Sequence, residues 1–174
     1  TDQLGSMGEI ELLDKVRVSD AVQEALALAQ SDKGTTLSLA LDAKYDPQLY
    51  TNRDIFVSTI RDLFYNAIDA SSTRVMVTSR SPSDSSMGEM LPFFDLSKFA
   101  AYPVLYVLFE DNGTGIAPAK AVQLNSYLGG GLIDEKELST KGKEQKGLGT
   151  KNMRDFLQLH NGMCYYEPAP IGTK

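Results

Sequence analysis

The segment from Asp54 to Ser79 constrains the fold of this chain more than any other. Phe56, Ile60, Leu63, Phe64 and Ala67 recur at helical spacing, so Asp54–Ala70 is predicted as an amphipathic helix with one apolar stripe to bury. Arg74–Ser79 follows almost at once and alternates, with Val75 and Val77 on one side, which predicts a half-buried strand. A helix that turns so tightly into a strand has to lie against the sheet which that strand joins. Flanking segments repeat the theme. A helix is expected from Ser19, with Ser19 as its cap and Val22, Ala25, Leu26 and Ala29 on one face. Thr36–Leu41 alternates as a strand, and Val104–Phe109 is a nearly continuous apolar run, as in a central strand. A last helix is expected over about Thr150–His160, with Met153, Phe156 and Leu157 inside and a stop at Asn161-Gly162; Met163–Tyr166 reads as a final strand. The order predicts an α+β, two-layer α/β sandwich with helices on one face of a mixed β-sheet.

Composition narrows the function. A length of 174 residues suits one domain, and 17 basic against 23 acidic residues give a net charge of −6. That balance argues against coating nucleic acid, which needs clustered positive charge. One cysteine, Cys164, excludes an internal disulfide and a cysteine-based zinc cage; one histidine, His160, argues against a Ser-His-Asp triad. His160 reads as a capping or packing residue at a helix end and Cys164 as core. No apolar run approaches the ~20 residues that span a bilayer, and the opening residues lack a signal pattern, so a cytoplasmic setting is expected, alone or as part of a membrane-anchored receptor, without direct membrane contact by this domain. The stretch from Ser79 to Pro103 fits no element; within it Ser81–Ser86 reads as a loop.

Three clusters can carry chemistry. Asp62, Asn66 and Asp69 fall at i, i+4 and i+7, on one helix face opposite the apolar stripe. They offer oxygen ligands suited to magnesium or a base with an orienting partner; equally, they suit a solvated polar face. Glu110-Asp111-Asn112-Gly113-Thr114-Gly115-Ile116 puts a carboxylate at a strand end beside backbone free of side chains, where a flat ligand can approach. Asn-Gly is also a common tight turn between strands. Lys146-Gly147-Leu148-Gly149-Thr150 opens a helix with free N–H groups, a phosphate-binding arrangement, in a locally basic stretch with Lys141, Lys143 and Lys151. The alternative is a glycine-rich exposed loop. It matches neither the Gly-x-x-x-x-Gly-Lys-Ser/Thr phosphate loop nor the Gly-x-Gly-x-x-Gly dinucleotide turn.

In this order the clusters resemble the GHKL ATPase superfamily, and most closely the catalytic and ATP-binding domain of sensor histidine kinases. Asp62–Ala70 resembles the N box, Asp111–Gly115 the first glycine box and Gly147–Gly149 the second. Leu159-His160-Asn161-Gly162 and Ile171-Gly172-Thr173 resemble the kinase's last helix end and the opening of its final strand. The resemblance implies ATP and Mg2+ as ligands. It gives Asn66 the metal, Asp62 a place near the attacking group, and Asp111 the adenine amino group. Gly113, Gly115 and Ile116 would border the base. Lys141, Lys146, Gly147, Leu148, Gly149 and Thr150 would meet the phosphates under a lid over about residues 126–146. Catalysis would consist of positioning and charge neutralisation of an in-line transfer.

Residues 18–174 would form this domain, and 1–17 a lead segment, the end of a removed dimerisation domain. His160 lies outside any phospho-acceptor context, so the acceptor histidine would sit on the dimerisation domain of the same full-length protein, with a response regulator downstream. Asp69 and Ala70 depart from the family, where a basic or aromatic residue is common. They leave phosphate contact to the lid lysines, with Asp69 still counted among the cofactor-binding residues, and are similar to the Asp-Ala of MutL- and Hsp90-type ATPases. An ATP-gated dimerising ATPase of that kind, an anti-sigma-type serine kinase, or a degenerate binding domain are the rival expectations.

Overall fold

A computed structural model describes residues 13–81, 105–128, 148–160 and 162–166. The described elements run β1 (Asp14–Arg17), α1 (Val18–Lys33), β2 (Ser38–Ala43), β3 (Gln48–Thr51), α2 (Arg53–Asp69), β4 (Arg74–Arg80), β5 (Tyr106–Asp111), α3 (Pro118–Leu128) and α4 (Leu148–His160). The fold is the expected α+β sandwich. β2, β4 and β5 form a mixed sheet in that order, with β2 parallel and β5 antiparallel to β4; β1 and β3 pair antiparallel as a separate ribbon.

The core lies between α1, α2 and one sheet face. Alternation turns Val75 and Val77 of β4 inward, and both are fully buried against Phe56, Ile60, Phe64 and Ala67 of α2 and Ala21, Val22, Ala25 and Ala29 of α1. Phe64 meets Phe109 edge-on, with ring centroids 5.1 Å apart, and so ties α2 to β5. Near the N-terminal end of α2, Phe56 stacks on Phe156 of α4 at 5.1 Å. Among the described residues no helix is long and apolar enough to cross a membrane.

Several expectations need correcting. Asp14–Arg17, placed in the lead segment, form β1, and Val16 is buried in the core at 1% exposure. Ser19 does not cap its helix, because α1 begins at Val18 with Arg17 at the cap position. Instead the Asp46 carboxylate accepts from both the Ser19 backbone N–H (3.1 Å) and its hydroxyl (2.5 Å), so the helix start is satisfied by a residue from the β2–β3 connection. Asn52 caps α2 locally, accepting from the Ile55 N–H at 3.1 Å. Met163–Tyr166 is not a strand. Its backbone pairs with a side chain: Asn125 accepts from the Tyr166 N–H (2.7 Å) and donates to the Tyr166 carbonyl (3.0 Å), replacing a strand partner. Residues 126–128, placed in the lid, belong to α3, where Tyr127 is buried at 1% with Arg154 of α4 over its ring. The remainder of the lid and most of 79–103 lie outside the described residues.

Candidate functional site

The site is built where α2 ends. Ser71 adopts φ 62, and the Ser71 and Ser72 N–H groups bond the Ile68 and Ala67 carbonyls, each at 2.9 Å. This is a Schellman ending with serine in the left-handed position usually taken by glycine. It turns the chain so that Ser72 is buried and its hydroxyl donates to Asp111 Oδ1 at 2.6 Å. The Gly113 N–H donates to the same oxygen at 2.7 Å. Asp111 Oδ1 is therefore held twice, while Oδ2 accepts no hydrogen bond from the described residues.

Asn112 completes the clasp. Its Oδ1 accepts from the Thr73 and Arg74 N–H groups at 2.9 Å each, and its Nδ2 donates to Thr73 Oγ1 at 2.9 Å. Thr114 N–H reaches the Ala70 carbonyl at 3.0 Å. Asn112-Gly113 is therefore no hairpin turn: β5 is followed by α3, and the segment between them is fastened to the end of α2. A Cβ on Gly113 would stand 2.5 Å from Ser72 Oγ, 2.7 Å from the Ala70 carbonyl and 2.8 Å from Ala70 Cβ. Gly113 is thus required by close approach to α2, a reason different from the open ligand surface read from sequence. Gly115 adopts φ 82, in the region where glycine is favoured. Ile116 packs with Leu124, Tyr127, Leu128 and Tyr166 in a second small cluster under α3.

The polar face of α2 divides. Asn66 is exposed, and its backbone carbonyl accepts from the Ala70 N–H, one residue from the Gly113 contact region. Asp69 pairs with Lys33 Nζ of α1 at 3.2 Å, and that ammonium also lies over the Tyr65 ring. Asp62 is 9% exposed, so it does not share a solvated face with the other two. Its Oδ2 accepts from Asn152 Nδ2 of α4 at 2.8 Å, and Arg61 stands 3.6 Å from Oδ1. Asn152 was invisible as a site residue in sequence, because nothing local marks a contact 90 positions away.

Burial pushes the Tyr65 phenol up to about 12, aided by its hydrogen bond to Asp32. The Cys164 thiol is likewise pushed up to about 12 by burial, which favours its protonated form. Tyr166 is raised chiefly by burial, with smaller contributions from Cys164 and Asp62. His160 is lowered by partial burial; its Nε2 lies 2.7 Å from Thr51 Oγ1 and its ring beside Phe156, a packing role.

The structure thus brings Asp111, Gly113 and the Asn66–Ala70 end of α2 together, and links Asp62 to α4. Leu148, Gly149 and Thr150 form the first turn of that helix; Lys141, Lys146 and Gly147 lie outside the described residues.

This architecture is a histidine-kinase-type α+β fold. A solved structure described as a mycobacterial sensor histidine kinase, MprB, superimposes with a TM-score of 0.56 at 14% identity, covering 86% of this chain and 80% of that one. No family model matches the chain, and no curated protein matches it in sequence.

Proposed function

We propose that this chain is the ATP-binding catalytic domain of a sensor histidine kinase, which passes the γ-phosphate of ATP to a histidine on a separate dimerisation domain, with a response regulator downstream. Asp111 carries the reading. Two donors fix Oδ1 at the end of β5, and the other oxygen, which accepts from none of the described residues, can take an outside donor such as an adenine amino group. The shared fold with a sensor histidine kinase supports the branch. The residues suit the nucleotide and its metal in chemistry: Asn66 is an exposed amide on the helix next to this corner, and the first turn of α4 presents backbone N–H groups to phosphate. Magnesium, when bound, would neutralise phosphate charge, with Asn66 among its ligands. The chain's own part is to hold the base at Asp111, orient the attacking group near Asp62, and receive phosphates at Leu148–Thr150 with Lys141 and Lys146.

Asp69 favours a second reading, an ATP-gated dimerising ATPase, because a carboxylate, here paired with Lys33, stands where many kinases carry a basic or aromatic side chain. Calorimetric titration with Mg-ATP tests the first claim. Asp111→Asn is expected to weaken binding at least tenfold while leaving the fold intact, since an amide can still accept from Ser72 and Gly113 but turns a donor toward the base. Unchanged affinity would overturn the adenine assignment. Incubation with a histidine-bearing dimerisation domain separates the two activities: phosphohistidine supports the kinase, free phosphate alone the ATPase.

A further inference from the structure

Asp62 is the one buried carboxylate among the described residues, and Asn152 supplies the one hydrogen bond that reaches it from them. Arg61, at 3.6 Å, contributes charge but no hydrogen bond. Asn152 is the fifth residue of α4 and belongs to its inward face, beside buried Met153 and one turn before Phe156, which stacks on Phe56 of α2. Two aliphatic residues at that seam would pack without the desolvation that this part-buried amide–carboxylate pair incurs. Packing alone therefore does not call for these two polar side chains. α4 also opens at Leu148, so a group held at its first turn lies one turn from Asn152.

The geometry points to Asn152 as a positioning residue for Asp62: its amide, carried on the helix that opens at Leu148, holds Oδ2 and thereby fixes the carboxylate that faces the attacking group. This rests on the nucleotide reading above. It makes the placement of α4 and the orientation of Asp62 one variable, so an α4 shifted at its first turn would also release the carboxylate.

Two readouts in the 174-residue chain test it. The first is slow transfer from Mg-ATP to water: the water oxygen bonds to the γ-phosphorus as the bond to the bridging oxygen breaks, giving ADP and phosphate, with the proton passing to bulk solvent. Asn152→Leu and Asp62→Asn are each expected to lower kcat about tenfold with KM within about twofold, and the double variant to be no slower than the slower single. The second is the Asn152 side-chain amide resonance in the nucleotide-free chain, which is expected to move in Asp62→Asn. Asn152→Leu with full kcat and an equal or higher Tm would reduce the pair to packing and overturn the role, as would losses that multiply in the double variant. An amide resonance indifferent to Asp62→Asn would overturn it whatever the turnover. Absence of both turnover and calorimetric Mg-ATP binding in the wild-type chain, with the amide still responding, would overturn the nucleotide reading and leave the Asn152–Asp62 contact standing.

Discussion

The two sides of the candidate site are held by different means. Where α2 ends and β5 stops, backbone and side chains interlock: Ser72 and Gly113 on Asp111, Asn112 on Thr73 and Arg74, Thr114 on Ala70. These contacts sit directly on the main core, since β4 and β5 are its sheet and Phe64 packs on Phe109. Across the site, α3 and α4 are fastened, among the described residues, by separate side-chain contacts spread along both helices. They include the Asn125 pair with Tyr166, Asn152 on Asp62, the Phe56–Phe156 stack, Arg154 over the Tyr127 ring, His160 on Thr51 and a small cluster under α3. The first side suits the base recognition proposed above. The second rests on separate side-chain contacts, which local opening can break one at a time.

The contrast can be broken most severely at Gly113. Gly113→Ala would force a Cβ to within 2.7 Å of the Ala70 backbone carbonyl, which cannot swing aside as a long side chain could. A loss of about 2–3 kcal/mol in denaturant unfolding is expected. A loss no larger than a typical surface substitution would mean that the corner is not rigid. On the opposite side Asn125→Ala removes both hydrogen bonds to Tyr166. It should cost about 1–2 kcal/mol and raise amide exchange over 162–166 and α3 before that of β4 or β5. Equal deprotection of both sides would erase the distinction.

The smallest effect concerns His160. Its imidazole is lowered from 6.5 by partial burial, so the unfolded chain takes up the proton first as pH falls. The stability it lends is fully present above about pH 6.5 and is lost as pH drops through its lower folded value. Thermal unfolding between pH 7.5 and 5 should therefore show a decline that His160→Gln flattens. An unchanged slope in that variant would remove His160 from the seam with Thr51 and Phe156.

Sequence was informative wherever structure follows from local periodicity. The α2 stripe and the β4 alternation are intrinsic to their own residues, and the element boundaries lie within a residue or so of expectation. Asp111 was legible as a strand-end carboxylate because glycines and an apolar run flank it. β1 and β3 were not, being four residues each and stabilised by pairing with one another rather than by any pattern of their own. Asp46 as the partner of the α1 start, Asn125 as the partner of Tyr166 and Asn152 as the partner of Asp62 share one cause. Each is a single polar side chain whose partner is supplied by the fold over 27 to 90 positions. Gly113 was picked out as bare backbone open to a ligand, and its close contact with the end of α2, which nothing local announces, is a second demand on the same position.

The central claim is that Asp111 reads an exocyclic amine, and competition between ATP and GTP for the wild-type chain tests it most directly. Adenine places an amino group where guanine has a carbonyl oxygen, so the Asp111 carboxylate would accept from one and repel the other. With magnesium present, ATP should bind at least about tenfold more tightly than GTP, a difference of about 1.4 kcal/mol. Equal affinities, or a preference for GTP, would contradict the account.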